Sequence, residues 1–240
     1  MDATILAIET SGDGGGAAIL RAGEVIAEAE VSGPRRHGAE LMSRVDKALA
    51  DARLQRADIG VIAVNIGPGS YTGLRIGIAA AQTIGYALDK PVIGVQCFDA
   101  MAVQYVMRDD FGVELKRELW PVLDARRNEV MTARIVYDNG RLARATGDLL
   151  VAPEKLHEQA ERQAIVFGSG VPPYEGKFDH QYLLVDIAGF NLKPSAVALQ
   201  ASRQLAEAPD AAELPRAPLE PRYFRRVLAK TVQERADERA

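Results

Sequence analysis

Twice along this 240-residue chain, three apolar strands precede a helix and a further strand, and few folds accommodate that order in duplicate. In the first half, ATILAI (3–8) ends in Glu9-Thr10-Ser11-Gly12-Asp13, and glycines 14 to 16 lead into GAAIL (16–20). Arg21-Ala22-Gly23 supplies a turn, and EVIAEAEV (24–31) alternates apolar with polar residues, as a half-buried strand does. The spacing of Leu41, Met42, Val45, Ala48, Leu49 and Ala52 predicts a helix that begins between Pro34 and His37. Glu40 with Arg44, and Lys47 with Asp51, pair four apart on its other face. VIAVN (61–65) is apolar enough for a strand covered on both sides. It runs into GPGSYTG (67–73), a second helix over Gly73–Leu88 that Pro91 stops, and a strand at VIGV (92–95).

The second half repeats this order more loosely. WPVLD (120–124) and EVMTARIVY (129–137) read as strands, Asp138-Asn139-Gly140 as a hairpin turn, and RLARAT (141–146) as the returning strand. A helix is predicted from Pro153, strands at IVFG (165–168) and YLLVD (182–186), and a last helix from Pro194 to Glu207. The order predicts an α/β chain with a duplicated ribonuclease-H-like fold of the actin and sugar-kinase (ASKHA) type, two lobes each with a mixed sheet and helices. The expected divisions are residues 1–105 for the first lobe, 106–208 for a reduced second lobe, and a proline-rich tail over 209–240. The tail carries Arg222-Tyr223-Phe224-Arg225-Arg226, whose expected role is to pack the tail rather than to touch nucleic acid.

Composition narrows the function classes. A net charge of −4 does not suit a protein that binds nucleic acid by itself, so any service to nucleic acid is expected through a partner. The single cysteine, Cys97, excludes an intramolecular disulfide and follows an apolar run, where it reads as a small core residue. The short apolar start has no basic stretch before it, and no segment is apolar over the ~20 residues of a membrane span, so a cytoplasmic location is expected.

Two segments have the residue types for ligand chemistry. In ETSGDGGG (9–16) small residues let backbone N–H groups approach an anion, making Thr10, Ser11, Gly12 and Asp13 candidates for phosphate or nucleotide binding. A glycine-rich hairpin without a ligand is the alternative. GPGSYTGLRIG (67–77) places a helix N-terminus after a buried strand, with Ser70 or Thr72 as its cap. It has neither the lysine of a Walker loop nor the GxGxxG spacing, and a rigid connector is its alternative reading. Gly73, Gly77, Ala81 and Gly85 recur every four residues and form a smooth ridge, which calls for a close neighbour, either within the chain or on a partner. His37, His157 and His180 show no metal-ligand spacing, so no metal and no cofactor are expected. Glu9, Asp13 and Asp124 are the carboxylates placed to serve a kinase-like site between the lobes.

At ILAIETS (5–11), PRRHGAEL (34–41), GPGSYTGLRIGIAAA (67–81) and LDARRNEV (123–130) the chain resembles the TsaB (YeaZ) family of the bacterial system that makes threonylcarbamoyladenosine in tRNA. The similarity returns at the helix starting Pro194-Ser195-Ala196 and at 221–225. The resemblance implies a non-catalytic, glycoprotease-like paralogue of the transferase TsaD. It implies a heterodimer with TsaD, an ATPase partner TsaE, a homodimer when alone, and contact with tRNA only through the complex. It further implies an interface on the two N-terminal helices, which maps to His37, Leu41, Arg44, Val45, Ala48 and Leu49 on the first and Gly73, Gly77, Ala81, Ile84 and Gly85 on the second. A nucleotide-dependent phosphotransferase of the sugar-kinase class is the alternative, and a metallopeptidase a more distant one.

Overall fold

In a computed structural model, which describes residues 3–33, 36–108, 111, 116–181, 183–207 and 218–223, the first half follows the sequence pattern closely. Strands β1 (Ile5–Glu9), β2 (Gly16–Arg21) and β3 (Glu24–Glu30) form an antiparallel meander. Helix α1 (His37–Asp51), β4 (Val61–Gly67), α2 (Tyr71–Leu88) and β5 (Val92–Gln96) follow. The sheet order is β3-β2-β1-β4-β5, with β4 parallel to both β1 and β5. Because side chains alternate across a strand, Leu6, Ile8, Ile62 and Val64 face one way and join Leu41, Val45, Ala48 and Ile78 of α1 and α2 in one core. Ile5, Ala7, Val61 and Ala63 face the other way into a second core. The outer strand β3 carries Glu24, Glu28 and Glu30, charges that discourage pairing with another chain along that edge.

After β5 comes α3 (Cys97–Val106), which the sequence pattern did not reveal. Seven of its residues are buried, so it shows no polar face and no amphipathic period. The second sheet is built from β6 (Lys116–Asp124), β7 (Val130–Thr132), β8 (Ile135–Asp138), β9 (Arg141–Arg144), β10 (Leu149–Val151), β11 (Ile165–Phe167) and β12 (Leu184–Val185). The single strand expected over 129–137 is broken at Ala133-Arg134, where the Arg134 side chain turns to the buried Glu118 carboxylate. Before the break β7 pairs with β10, and beyond it β8 pairs with β9. The run β9-β8-β6-β11-β12 has β6 antiparallel to β8 and parallel to β11, and so repeats the first sheet strand for strand. The fold is the duplicated ribonuclease-H-like one.

One predicted helix is corrected. The segment from Pro153 is a 3-10 turn over Pro153–Glu158, since Leu156 and Ala160 are too short a stripe to hold a longer helix. The last helix, α4 (Pro194–Glu207), lies where the sequence puts it but covers the first sheet: Val197, Ala198, Ala201 and Leu205 fill the second core. Meanwhile Phe98, Met101 and Tyr105 of α3 pack on the second sheet against Leu119, Ile135 and Phe167. Each lobe thus lends a helix to the other, and a division at 105/106 separates α4 from the sheet it covers. Among the described residues no helix is long and apolar enough to cross a membrane.

Glu40, in the first turn of α1, ties that helix to the strand before it. Its carboxylate accepts from the Ser32 backbone N–H at 2.9 Å, the Ser32 hydroxyl at 2.6 Å and Arg44 at 2.7 Å, and Arg36 pairs with it too. Those donors, led by the Ser32 hydroxyl, hold its pKa far below the usual carboxylate range. A depressed pKa contributes stability above the unfolded-state value that is lost as pH falls through it. Glu40→Gln is therefore expected to lower the melting temperature at pH 7 and to lose that deficit progressively in acid, below about pH 4.5, where the carboxylate of the unfolded chain protonates while the native one stays ionised; thermal melts across pH 3–7 check it.

Candidate functional site

The facing ends of the two lobes leave a cleft of about 560 Å³. Ser11 and Asp13 enter it from the loop after β1, Ser70 and Thr72 from the start of α2, and Ser169 and Asn191 from the second lobe. The loop is fixed from behind. Glu9, fully buried, accepts from the Ser11 backbone N–H at 2.5 Å and from Asn65 Nδ2 at 2.7 Å. The same Asn65 Nδ2 donates to Ser11 Oγ at 2.9 Å, and Asn65 Oδ1 accepts from the Gly67 N–H at 2.8 Å. Ser70 N–H donates to the Ser11 carbonyl at 2.8 Å, and the Thr10 hydroxyl donates to the Gly73 carbonyl at 2.8 Å. Ser70 is the helix cap: its Oγ accepts from the Gly73 N–H at 3.3 Å. The two sequence segments singled out for chemistry are therefore one bonded unit.

This arrangement has limited chemistry. Hydroxyls and the α2 N-terminus can favour an anionic ligand. Of the three flagged carboxylates, Asp13 lines the cleft, whereas Glu9 is buried behind it. Asp124 accepts from the Arg126 backbone N–H at 2.7 Å and the Tyr174 hydroxyl at 2.9 Å, and pairs with the Arg126 guanidinium at 3.0 Å. Burial, with the nearby Glu9 charge, pushes the Cys97 thiol up, which keeps it protonated and a poor nucleophile. Among the described residues no three His, Cys, Asp or Glu side chains gather as a metal site.

Most of the residues expected to meet a partner are buried within the chain. Leu41, Val45, Ala48 and Leu49 are buried against the first sheet, and Ile84 is half-buried against the same core. Arg44 is occupied by Glu40, and the His37 side chain lies outside the described residues. Gly73, Gly77, Ala81 and Gly85 are buried too. A Cβ on Gly73 would run into the Thr10 carbonyl oxygen, one on Gly77 into the Thr10 hydroxyl, and one on Gly85 into Val92. The close neighbour of the ridge is internal. An amphipathic helix gives its apolar stripe to its own sheet first, and any partner meets the opposite side.

That opposite side is informative. On α1 it presents Ala39, Met42, Ser43 and Asp46, and on α2 Tyr71, Arg75, Ala79, Thr83 and Tyr86. Met42 is 47% exposed, Tyr71 44% and Tyr86 92%. The two helices are neighbours on one face of the sheet, Gly38 lying against Ile76. Met42, counted in the apolar stripe from its spacing, stands exposed at the margin of that stripe, and Tyr86 lies on the side away from the buried residues of its own helix.

A model of the family "TsaD: tRNA N6-adenosine threonylcarbamoyltransferase" matches residues 25–217. The Bacillus subtilis tRNA threonylcarbamoyladenosine biosynthesis protein TsaB is 37% identical over 145 residues, which is 60% of this chain and 60% of that protein. The chain thus spans less than two thirds of that relative's length. An uncharacterized protein of Mycobacterium tuberculosis is 33% identical over 232 residues, 95% of this chain and 94% of its own. The crystal structure of a Pseudomonas aeruginosa protein with similarity to peptidase YEAZ superposes with a TM-score of 0.76 at 23% identity, covering 93% of this chain and all of that one, a likeness of fold.

Proposed function

Since the chain belongs to the family of the tRNA threonylcarbamoyltransferase TsaD, and within it is akin to the TsaB (YeaZ) proteins, we propose that it is a non-catalytic scaffold subunit of the complex that forms N6-threonylcarbamoyladenosine in tRNA beside the anticodon. It docks on a TsaD-type transferase and activates it, and a TsaE-type ATPase joins the pair. tRNA is met through the complex, and two copies associate when the transferase is missing. The observation that carries this reading is the outward side of α1 and α2, where Met42, Tyr71, Ala79 and Tyr86 stand exposed on two adjacent rigid helices. Exposed aromatic and Met side chains on rigid elements favour a protein partner. The engaged state of Glu9 and Asp124 also favours a scaffold.

The cleft favours one further reading, a nucleotide-dependent phosphotransferase, because its hydroxyls and Asp13 surround a helix N-terminus. One reconstituted reaction separates the two. Quantifying the modified nucleoside by mass spectrometry, the scaffold reading expects strong product with transferase and this chain together, little with the transferase alone, and none with this chain alone. Equal product without the chain overturns it. Calorimetry of the isolated chain with millimolar ATP and Mg²⁺ gives no binding heat on the scaffold reading, and a saturable heat on the other.

A further inference from the structure

The segment 218–223, which lies far downstream of α2 in sequence, is held against that helix and the end of β4 at several points. Leu219 packs on the first core and its carbonyl accepts from Gln82 Nε2 at 3.4 Å. The Arg222 backbone N–H donates to the Ile66 carbonyl at 2.7 Å, and Gly67 leaves the space: an added Cβ there would stand 2.8 Å from the Arg222 carbonyl oxygen. The Arg222 guanidinium lies 3.7 Å from Asp148 of the second lobe. Tyr223 stacks on Tyr71 with ring centroids 4.8 Å apart, and its hydroxyl accepts from Arg75 Nε at 2.7 Å. The Arg75 guanidinium carbon in turn sits 4.2 Å from the Tyr71 ring centre.

Arg75 is thus an exposed cation kept in one place by two tyrosines. Arg44, Arg56, Arg108, Arg134 and Arg144 each face a carboxylate of this chain. Among the described residues the direct partners of Arg75 are the two rings and a hydroxyl; Glu220 lines the same surface hollow but does not pair with it. It stands on the same outward side of α2 as Ala79 and Tyr86. Its Nε hydrogen is given to Tyr223, and the four hydrogens on the Nη atoms suit a carboxylate.

We propose that Tyr71, Arg75 and Tyr223 form a preorganised cationic anchor at one end of the docking face, and that it receives a carboxylate from the transferase partner. This rests on the docking reading above. Holding the guanidinium before binding removes much of the entropy lost when a long side chain is immobilised, and tyrosine and arginine are the residue types that dominate interface energetics. The tail segment is then a third rib of the surface beside α1 and α2, and Tyr223 is a positioning residue that acts through Arg75. A lysine at 75 keeps the charge and loses the planar fork.

The test is titration of the full-length chain and its variants against the purified transferase, at low and at high salt. Arg75→Ala is expected to weaken binding by about 10- to 30-fold and to flatten the salt dependence. Arg75→Lys recovers part of the loss, and Tyr223→Phe, which keeps the ring and removes the hydroxyl, weakens binding about threefold. Circular dichroism melts of each variant separate these effects from unfolding. Wild-type binding with an Arg75→Ala affinity and salt slope equal to it overturns the anchor and leaves docking standing. Absence of wild-type binding overturns the docking reading and the anchor with it. Weakened self-association with unchanged transferase binding assigns the anchor to a second copy of this chain and overturns the proposal.

Discussion

Gly73→Ala is expected to destabilise the isolated chain by about 2–3 kcal/mol, read as a lowered urea midpoint with an unchanged slope. The sign is the informative part. Glycine in a helix costs roughly 1 kcal/mol relative to alanine, so on a free helix surface this change would stabilise the protein. Here the new methyl group would meet the Thr10 carbonyl oxygen and carbon, which are backbone atoms, and Thr10 is itself bonded to the Gly73 carbonyl. Neither side can move without disturbing the loop that Glu9 and Asn65 hold. Gly77→Ala meets a side-chain hydroxyl instead and is expected to cost less. A raised midpoint for Gly73→Ala would mean that the ridge faces open space after all.

The first lobe was legible in the sequence because its elements are amphipathic or bounded by turns. The stripe from Leu41 to Ala52 and the glycine turn at 21–23 mark their elements within a residue or two of where they lie. Helix α3 was not legible, because a helix buried on nearly all sides has no polar phase to count. The break in the strand at Arg134 depends on a buried partner, Glu118, sixteen positions earlier, which local pattern does not record. At the candidate site, the loops were found but not their union: Asn65 reads locally as the end of an apolar strand, yet its amide joins both loops. Periodicity identifies the apolar face of a helix, and on α1 and α2 that face is buried against the protein's own sheet, so the proposed docking face consists of the residues outside the stripe. The tail at 218–223 could be placed only by the structure, since nothing in its own composition says which helix it lies against.

The docking face itself is tested by putting charge where apolar side chains now stand. Met42→Glu with Tyr86→Glu changes two exposed side chains outside the first core, and glutamate suits a helix. The stability of the isolated chain is therefore expected to stay within about 0.5 kcal/mol for each change. At a packed interface an unpaired carboxylate loses its water without gaining a partner, and the pair is expected to weaken the complex by more than about 100-fold. Sedimentation of the double variant, mixed in equal amounts with the transferase at a concentration where the wild-type chain runs as a complex, is the direct measurement. Two separate species from a normally folded variant are predicted; a single species like that of the wild type would contradict the assignment of this face, and with it the scaffold role.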